Sequence, residues 1–211
     1  MESAWAHVRW IGGSPCCGKS TIAKQLAEEF NLNLYHCDEH WDKHVSDDSL
    51  SDTSLLRQLN QMSYEQIFMC SVDKQVATVI AAYQEEFPLI LEDLKEFPTD
   101  QLLLVEGAAL QPMLVTRFLS QSEYAIWMVP TESFQRETYV TRDWMHLIAE
   151  QTHNPELAID NWMLRDARYA RWIENQVECC HQMVVVVDGQ QSIEYNKNII
   201  QNRFRLRIDR Y

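Results

Sequence analysis

Residues 13–20 read Gly13-Ser14-Pro15-Cys16-Cys17-Gly18-Lys19-Ser20, and this stretch fits the pattern G-x-x-x-x-G-K-[ST] at every fixed position. Glycine lets the backbone turn tightly and approach an anion closely. The N–H groups of such a loop, with the N-terminus of a following helix, cradle a phosphate. The sequence therefore predicts a nucleotide site over residues 13–21, ending at Thr21, with Lys19 at the β- and γ-phosphates and Ser20 as a Mg²⁺ ligand.

The segments on either side of this loop have the order that the pattern requires. A β-rich run, Trp5–Ile11, precedes the loop. A helical pattern over Lys19–Phe30 follows it, with Ile22 and Leu26 four residues apart on one buried face. Strand, loop and helix together make a chance glycine-rich turn a poor explanation of the motif.

Four more short β-rich runs alternate with helical segments along the chain. They are 32–37, 102–105, 124–129 and 183–187. The third and fifth of the five runs are almost entirely apolar, which is typical of strands covered on both faces. This alternation predicts a single α/β domain, residues 1–211, with a five-stranded parallel sheet and helices on both faces.

Two long helices are predicted outside the phosphate loop. The first covers about 71–97, with Pro88 marking a kink or a break. The second begins at Asn154-Pro155, an Asn cap followed by proline at the first helical position, and extends to about His181. Ser192 is predicted to cap the last helix.

The composition limits the classes of function. The 211 residues include 18 Lys and Arg against 31 Asp and Glu, a net charge of −13, which disfavours binding to nucleic acid. We find neither a signal sequence nor an apolar run of membrane-spanning length, so we expect no membrane association and a cytoplasmic location. The spacing of the six cysteines predicts reduced thiols.

The chain resembles the small-molecule kinases of the P-loop superfamily, the nucleoside, nucleotide, shikimate and uridine kinases. A GTPase would carry N-K-x-D, and the segment Asn196-Lys197-Asn198-Ile199 lacks the aspartate. The resemblance in element order covers nearly the whole chain. It implies the strand order 2-3-1-4-5, ATP and Mg²⁺ as cofactors, a small-molecule acceptor, and a helical lid at about 136–180.

Asp38 ends the second predicted strand, where a carboxylate faces the ligand crevice of a parallel sheet. In the family it resembles, a residue there orients the acceptor hydroxyl, so we predict a catalytic role for Asp38. Glu39 is the reserve for that role, and a helix-capping aspartate is the structural alternative.

Glu106 follows the third predicted strand and precedes Gly107. The Val-Glu-Gly ending resembles that of the uridine kinases, although many P-loop enzymes have aspartate at this position. We assign Glu106 to Mg²⁺ and its waters, or to the acceptor. A simple carboxylate at the end of a strand is the alternative.

Three arginines, Arg165, Arg168 and Arg171, lie three residues apart on a predicted helix and spread over about a third of its circumference. Arginine neutralises charge during phosphoryl transfer, and the resemblance places the lid here. Arg165 and Arg168 are therefore the first choices for catalysis, with Arg136 and Arg142 as alternatives. A structural role is the competing interpretation, with Arg171 paired to Glu174 on an exposed helix.

Two further groups of residues suggest chemistry. Cys16 and Cys17 lie at a helix N-terminus, which is expected to lower the pKa of a thiol. Oxidation of these thiols is one hypothesis, but we prefer to interpret them as small residues that fill the loop. His36, His40 and His44 are spaced by four, but His36 falls inside a predicted strand, so we interpret them as solvated or substrate-lining and not as a zinc site.

The sequence thus predicts an ATP-dependent kinase that transfers the γ-phosphoryl group to a hydroxyl of a small metabolite or nucleoside. A nucleoside monophosphate kinase is one alternative, and a module that binds ATP without turnover is another. Residues 38–100 contain 4 basic and 14 acidic residues, which favours an acceptor that is neutral or cationic over one that already carries phosphate.

Overall fold

The structure, a computed structural model, describes residues 4–207. Its strands are β1 (Val8–Gly13), β2 (Asn33–His36), β3 (Leu103–Glu106), β4 (Ala125–Pro130) and β5 (Val184–Val187). Its α-helices are α1 (Lys19–Phe30), α2 (Cys37–Val45), α3 (Leu55–Gln61), α4 (Tyr64–Phe68), α5 (Val72–Leu94), α6 (Pro112–Val115), α7 (Glu132–Val140), α8 (Asp143–Ala149), α9 (Pro155–Cys179) and α10 (Ile193–Phe204). Short 3₁₀ turns cover Thr116–Phe118 and Ser122–Tyr124.

The five strands form one parallel sheet in the order β2-β3-β1-β4-β5. This confirms the predicted α/β fold and strand order. β1 is the central strand, with β3 on one side and β4 on the other. Ligands of such sheets bind at the carboxyl ends of the strands, where the strand order reverses. The phosphate loop begins at this point, directly after Gly13.

Both faces of the sheet are covered, as the apolar strands indicate. Trp10 of β1 packs in a cluster that includes residues of α5 and α9. Its neighbour Ile11 packs in a second cluster with α1 and α10. Alternate residues of one strand therefore enter opposite cores, and the strand that carries the phosphate loop is fixed on both sides.

The strand boundaries differ from the predicted runs by one to three residues. β1 begins at Val8 and not at Trp5, because residues 4–7 form a turn in which the Val8 N–H donates to the Trp5 carbonyl (3.0 Å). β2 ends at His36, and Cys37 is already the first residue of α2. Asp38 therefore lies in the first turn of a helix directly after the strand.

The helices begin where their caps predict. The side chain of Asn154 accepts from the Leu157 N–H with Pro155 in the first turn of α9, and Ser192 caps α10 by accepting from the Tyr195 N–H. α1 has the predicted bounds. α5 is shorter than predicted at both ends and continues through Pro88.

A third apolar cluster joins α4, α7, α8 and α9 beside the phosphate loop. Phe68, Tyr139, Met145 and Trp162 are among its members, and the Cys16 side chain of the loop packs into it. This cluster covers much of the region predicted to form the lid. In residues 4–207, the structure contains no helix that is both long and apolar enough to cross a membrane.

Candidate active site

The phosphate loop starts with a glycine that the sheet requires. Gly13 has φ +127°, and a Cβ there would lie 1.8 Å from the carbonyl oxygen of Met128 on β4. The next residue, Ser14, donates its N–H to that same carbonyl (3.0 Å). The first fixed glycine of the motif therefore allows the loop to leave β1 in contact with β4.

Lys19 lies inside the loop at the start of α1, with 7% of its surface exposed. Its Nζ donates to the Ser14 carbonyl (2.8 Å). Burial lowers the pKa of the lysine, but Cys17, Glu106 and Asp38 raise it, and the net shift is upward. The ammonium group is therefore charged and is held inside the loop.

Asp38 is the second residue of α2. It lines the ligand crevice, and part of its surface remains open to solvent there. The helix-capping position belongs to His36, so Asp38 does not cap the helix. The surrounding protein raises the pKa of the carboxyl group by removing water from it, and Lys19 opposes this while Glu106 adds to it. A carboxylate thus lies within electrostatic reach of the loop lysine.

Glu106 ends β3 and is 2% exposed. Its Oε1 is 2.7 Å from Nδ1 of His36, the residue paired with it on β2. Burial raises the pKa of Glu106, but His36, Lys19 and a hydrogen bond with Ser20 lower it, and the net shift is downward. Glu106 is therefore an ionised carboxylate next to the loop serine.

Two adjoining clefts lie over these groups. One has a volume of about 220 Å³ and is lined by Pro15, Cys16, Gly18, Lys19, Ser20, Thr21, Asp38, Ala108 and Arg142. The other has a volume of about 340 Å³ and is lined by Ser20, Thr21, Lys24, His36, Asp38, Glu39 and Glu106. We call them the loop cleft and the acidic cleft. They share Ser20, Thr21 and Asp38, so a ligand on the loop would reach both.

The donors at the junction of the clefts fit Mg²⁺. This ion is usually bound by one or two carboxylates, by waters and by the phosphates of a nucleotide, and less often by an all-protein cage. The Ser20 hydroxyl and the Glu106 carboxylate are adjacent hard oxygen donors of this kind. Across the described range 4–207 there is no cluster of three or more His, Cys, Asp or Glu side chains suited to a metal ion.

The arginines of α9 do not form a common group. Arg165 is largely buried and its Nε donates to Asp166 (2.7 Å), whereas Arg168 pairs with Asp73 and Arg171 with Glu132 (2.9 Å). Glu132, not Glu174, is thus the partner of Arg171. Steps of three along the helix turn the three side chains in different directions. Arg165 meets an acid of α9 itself, whereas Arg168 meets one on α5 and Arg171 one on α7.

Arg142 is the arginine that lines the loop cleft. It lies between α7 and α8, with its guanidinium carbon 5.3 Å from the ring centre of Tyr139 and 5.8 Å from that of Trp144. Its charge also lowers the pKa of Asp38, which indicates that the two are close. Arg136, the other alternative, pairs with Glu132 and Asp160 at 3.6 and 3.8 Å.

The expected lowering of the thiol pKa in the loop is wrong. Burial raises the pKa of Cys16 to about 11, and it also raises that of Cys17. Cys16 packs in the apolar cluster beside the loop, and the Cys17 thiol donates to the Ser14 carbonyl (3.0 Å). Loss of water outweighs the field of the helix N-terminus, so both cysteines fill space in the loop.

The sequence analysis missed two networks around the site. Asp166, buried on α9, accepts hydrogen bonds from Tyr139 and Arg165, and its backbone carbonyl accepts from the Ser14 hydroxyl (3.2 Å). α7 and α9 are thereby tied to the loop. The second network is the His36–Glu106 pair, which becomes visible once β2 and β3 are placed side by side.

The other two histidines of the predicted triplet, His40 and His44, make contacts within the fold. His40 stacks on Tyr35 with ring centres 4.2 Å apart. His44 is 2% exposed and lies between Glu86 on α5 (2.9 Å) and Asp93 (3.1 Å). His44 is therefore buried and ion-paired, contrary to the solvated or substrate-lining role expected of it.

Neither a protein-family model nor a curated protein matches the sequence. Solved structures match over nearly the whole chain. Shikimate kinase from Bacteroides thetaiotaomicron has a TM-score of 0.53 at 13% identity, covering 94% of this chain and 98% of that one. Shikimate kinase from Acinetobacter baumannii, in complex with shikimate, has a TM-score of 0.51 at 12% identity, covering 98% of each chain.

A third structure, an uncharacterized protein from Eubacterium ventriosum, has a TM-score of 0.51 at 12% identity and covers 95% of this chain and 98% of that one. At these identities the similarity establishes the fold. The sheet order and the position of the phosphate loop after β1 agree with it. The chain therefore has the fold of the P-loop small-molecule kinases, and the resemblance seen in its sequence is confirmed at that level.

Proposed function

We propose that the protein is an ATP-dependent kinase that uses Mg²⁺ to transfer the γ-phosphoryl group to a hydroxyl of a small metabolite or nucleoside. One observation carries the proposal. Lys19 and Ser20, at the start of α1, and Asp38, in the first turn of α2, together line the loop cleft, and Ser20 and Asp38 also line the acidic cleft. Phosphoryl transfer needs a phosphate cradle and a group that positions the attacking hydroxyl, and both are present there.

Each residue has a part in this reaction. The loop of residues 13–21 binds the phosphates of ATP with the Lys19 ammonium and with its available backbone N–H groups, since Pro15 has none and that of Ser14 donates to Met128. Ser20 and Glu106 would hold Mg²⁺, and the ion would supply positive charge that stabilises the phosphates of the nucleotide. The Asp38 carboxylate accepts a hydrogen bond from the acceptor hydroxyl and orients its oxygen toward the γ-phosphorus. The carboxylate takes up the hydroxyl proton as the new O–P bond forms, while the bond from the γ-phosphorus to the β,γ-bridging oxygen breaks and ADP leaves.

We rank the candidate lid arginines by whether they line the loop cleft or are held in ion pairs elsewhere. We place Arg142 first because it lines the loop cleft. Arg165 and Arg168 would reach the phosphates only after leaving Asp166 and Asp73, respectively. Closure of the predicted lid, residues 136–180, is the motion that would bring such groups over the nucleotide.

A nucleoside monophosphate kinase is disfavoured by the state of the basic side chains near Asp38. Such an enzyme binds the acceptor's own phosphate with free cationic groups. Residues 38–100, which lie wholly in the described range, contain four basic residues, and three of them are in ion pairs: Lys43 with Asp93, Arg57 with Asp52 and Lys95 with Glu92.

A panel assay tests the proposal. Purified protein with Mg-ATP is incubated with polyols, sugars, nucleosides, amino alcohols and their phosphorylated forms, and labelled products are identified by mass spectrometry. We expect phosphoryl transfer to at least one acceptor, a loss of more than about 100-fold in Lys19→Ala, and a similar loss in Asp38→Asn.

Two outcomes distinguish the alternatives. Binding of Mg-ATP with only slow hydrolysis that Asp38→Asn does not change would support an ATP-sensing module. Absence of Mg-ATP binding in the folded protein, with no effect of Lys19→Ala, would overturn the proposal altogether.

We also propose a cytoplasmic location. The six cysteines are free thiols in the structure, and reduced thiols are typical of that compartment.

A further inference from the structure

His36 and Glu106 form a cross-strand pair at the inner end of the acidic cleft. They are register partners on β2 and β3, so their side chains leave the sheet on the same face. The distance between His36 Nδ1 and Glu106 Oε1 is 2.7 Å. The histidine side chain is 19% exposed and the glutamate 3%. The carboxylate is thus held at one oxygen by a ring that itself faces the cleft.

The backbone of His36 is also held in place. Its backbone is the N-cap of α2, and its carbonyl oxygen lies 2.9 Å from Nδ1 of His40. The backbone of His36 is therefore held in place between β2 and α2, and the hydrogen bond from its ring ties the Glu106 carboxylate to this fixed point.

Glu106 has a competing partner. The Lys19 charge acts on the same carboxylate, as does the hydroxyl of Ser20. A carboxylate released from His36 would turn toward the lysine, since an ion pair in a buried site is strongly attractive. Such a pair would withdraw a ligand from the cation and a positive charge from the phosphates.

We propose that His36 is a positioning residue that holds the Glu106 carboxylate beside Ser20, in the orientation that binds the divalent cation of the nucleotide complex. The inference rests on the proposed function, because it assigns Glu106 to the metal. It adds a residue whose effect is on affinity for the cation and not on binding of the acceptor.

Three variants test this inference. His36→Ala removes the hydrogen bond. His36→Asn keeps a donor at the place of Nδ1, whereas His36→Gln places its donor near Nε2. Binding of Mn²⁺ to the protein–ADP complex is measured by the loss of the free Mn²⁺ resonance in electron paramagnetic resonance, and thermal unfolding checks that each variant is folded.

We expect His36→Ala and His36→Gln to raise the dissociation constant for Mn²⁺ about 10-fold or more, as loss of an outer partner of a metal ligand does. His36→Asn should stay within about threefold of the wild type. The Mg²⁺ concentration for half-maximal phosphoryl transfer should rise in parallel, while the KM for ATP at saturating Mg²⁺ stays unchanged.

The inference is overturned if His36→Ala binds Mn²⁺ as the wild type does, or if His36→Asn is as impaired as His36→Ala. A folded wild-type protein that binds nucleotide but transfers no phosphate would instead contradict the proposed function. Its Mn²⁺ titration would still report on His36, so the two failures are distinguishable.

Discussion

Asp38 carries the chemistry in our proposal, and its environment opposes its charge. The surrounding protein raises the pKa of this carboxyl group, so the ionised form is less favourable in the folded than in the unfolded chain. We expect Asp38→Asn to lower kcat by about 10²–10⁴-fold. The free energy of unfolding of the Asp38→Asn variant at pH 7, measured by urea denaturation, should be no lower than that of the wild type.

The pH dependence provides a second criterion for Asp38. Because its pKa is raised, the wild type should lose stability relative to Asp38→Asn as the pH rises from about 3.8 through the folded value. A variant that is clearly less stable than the wild type at pH 7 would show that the carboxylate contributes to folding, and the loss of activity would then have a structural origin.

Cys16 permits a test of the loop itself. With a pKa of about 11, only about one thiol in a thousand is ionised at pH 8, and the side chain is buried. We expect iodoacetamide to label Cys179, which is exposed, on the order of 100-fold faster than Cys16. Peptide mass spectrometry measures both rates. Labelling in urea is the control, and equal rates in the folded protein would contradict the burial of this thiol.

At the scale of elements, His44 links α2 to α5. Its two ring nitrogens face two carboxylates, Glu86 and Asp93. His44 and Glu86 are buried and Asp93 is partly buried, so the contribution of the group to stability depends on whether the histidine is charged. Lys43 and Tyr35 also contact Asp93. Six further titratable groups interact electrostatically with members of this network: Cys37, Asp38, His40, Asp47, Tyr83 and Glu96.

The geometry predicts a pH-dependent contribution to stability. The carboxylates raise the pKa of His44 above 6.5 although burial lowers it, so its contribution is complete below about pH 6.5 and is lost as the pH rises through the folded value. We expect His44→Gln to lower the free energy of unfolding by about 3 kcal/mol or more at pH 6, and by less than half of that at pH 9.

Urea unfolding at the two pH values measures this difference, and His153→Gln is the matched control. His153 forms a similar pair with Glu65, but on the surface, where such pairs contribute about 0–1 kcal/mol. An equal cost of His44→Gln at pH 6 and pH 9 would show that the ring acts by packing and not by its charge.

Most elements could be predicted because their signals are local. The alternation of β-rich runs and helical segments determined the parallel sheet, and the caps at Asn154 and Ser192 determined where two helices begin. The assignment of Arg168 to the nucleotide, in contrast, depends on contacts between elements that are far apart in the sequence. Its side chain is paired with Asp73, which is 95 residues away in the sequence. Spacing along a helix cannot show which acids other elements present to it.

The same limit applies to the site. The phosphate loop is a continuous motif and was predicted residue by residue, whereas His36 and Glu106 are 70 residues apart. Their contact depends on the strand register. The raised pKa of Cys16 has a similar origin, since it follows from the apolar cluster that α4, α7, α8 and α9 form around the thiol.

For the whole molecule, the net charge of −13 is distributed unevenly. Residues 1–135 contain 8 basic and 20 acidic residues, and residues 136–211 contain 10 and 11. The first part holds the phosphate loop and Asp38. Glu39 lines the acidic cleft next to Asp38 and Glu106, with Lys24 as the cation of the α1 side. The field around the proposed acceptor is therefore negative, and it repels a ligand that carries phosphate.

We expect the kcat/KM of a phosphorylated acceptor to be at least about 10-fold below that of its neutral analogue at 20 mM salt, because like charges brought together cost several kcal/mol. The ratio should narrow several-fold at 200 mM salt, where the screening length falls below about 10 Å. At low salt, Glu39→Gln should reduce the difference in kcat/KM between the neutral and the phosphorylated acceptor. Glu28→Gln, the same change on the exposed face of α1, should leave this difference unchanged. A ratio that responds to neither salt nor Glu39→Gln would mean that shape, and not charge, selects the acceptor.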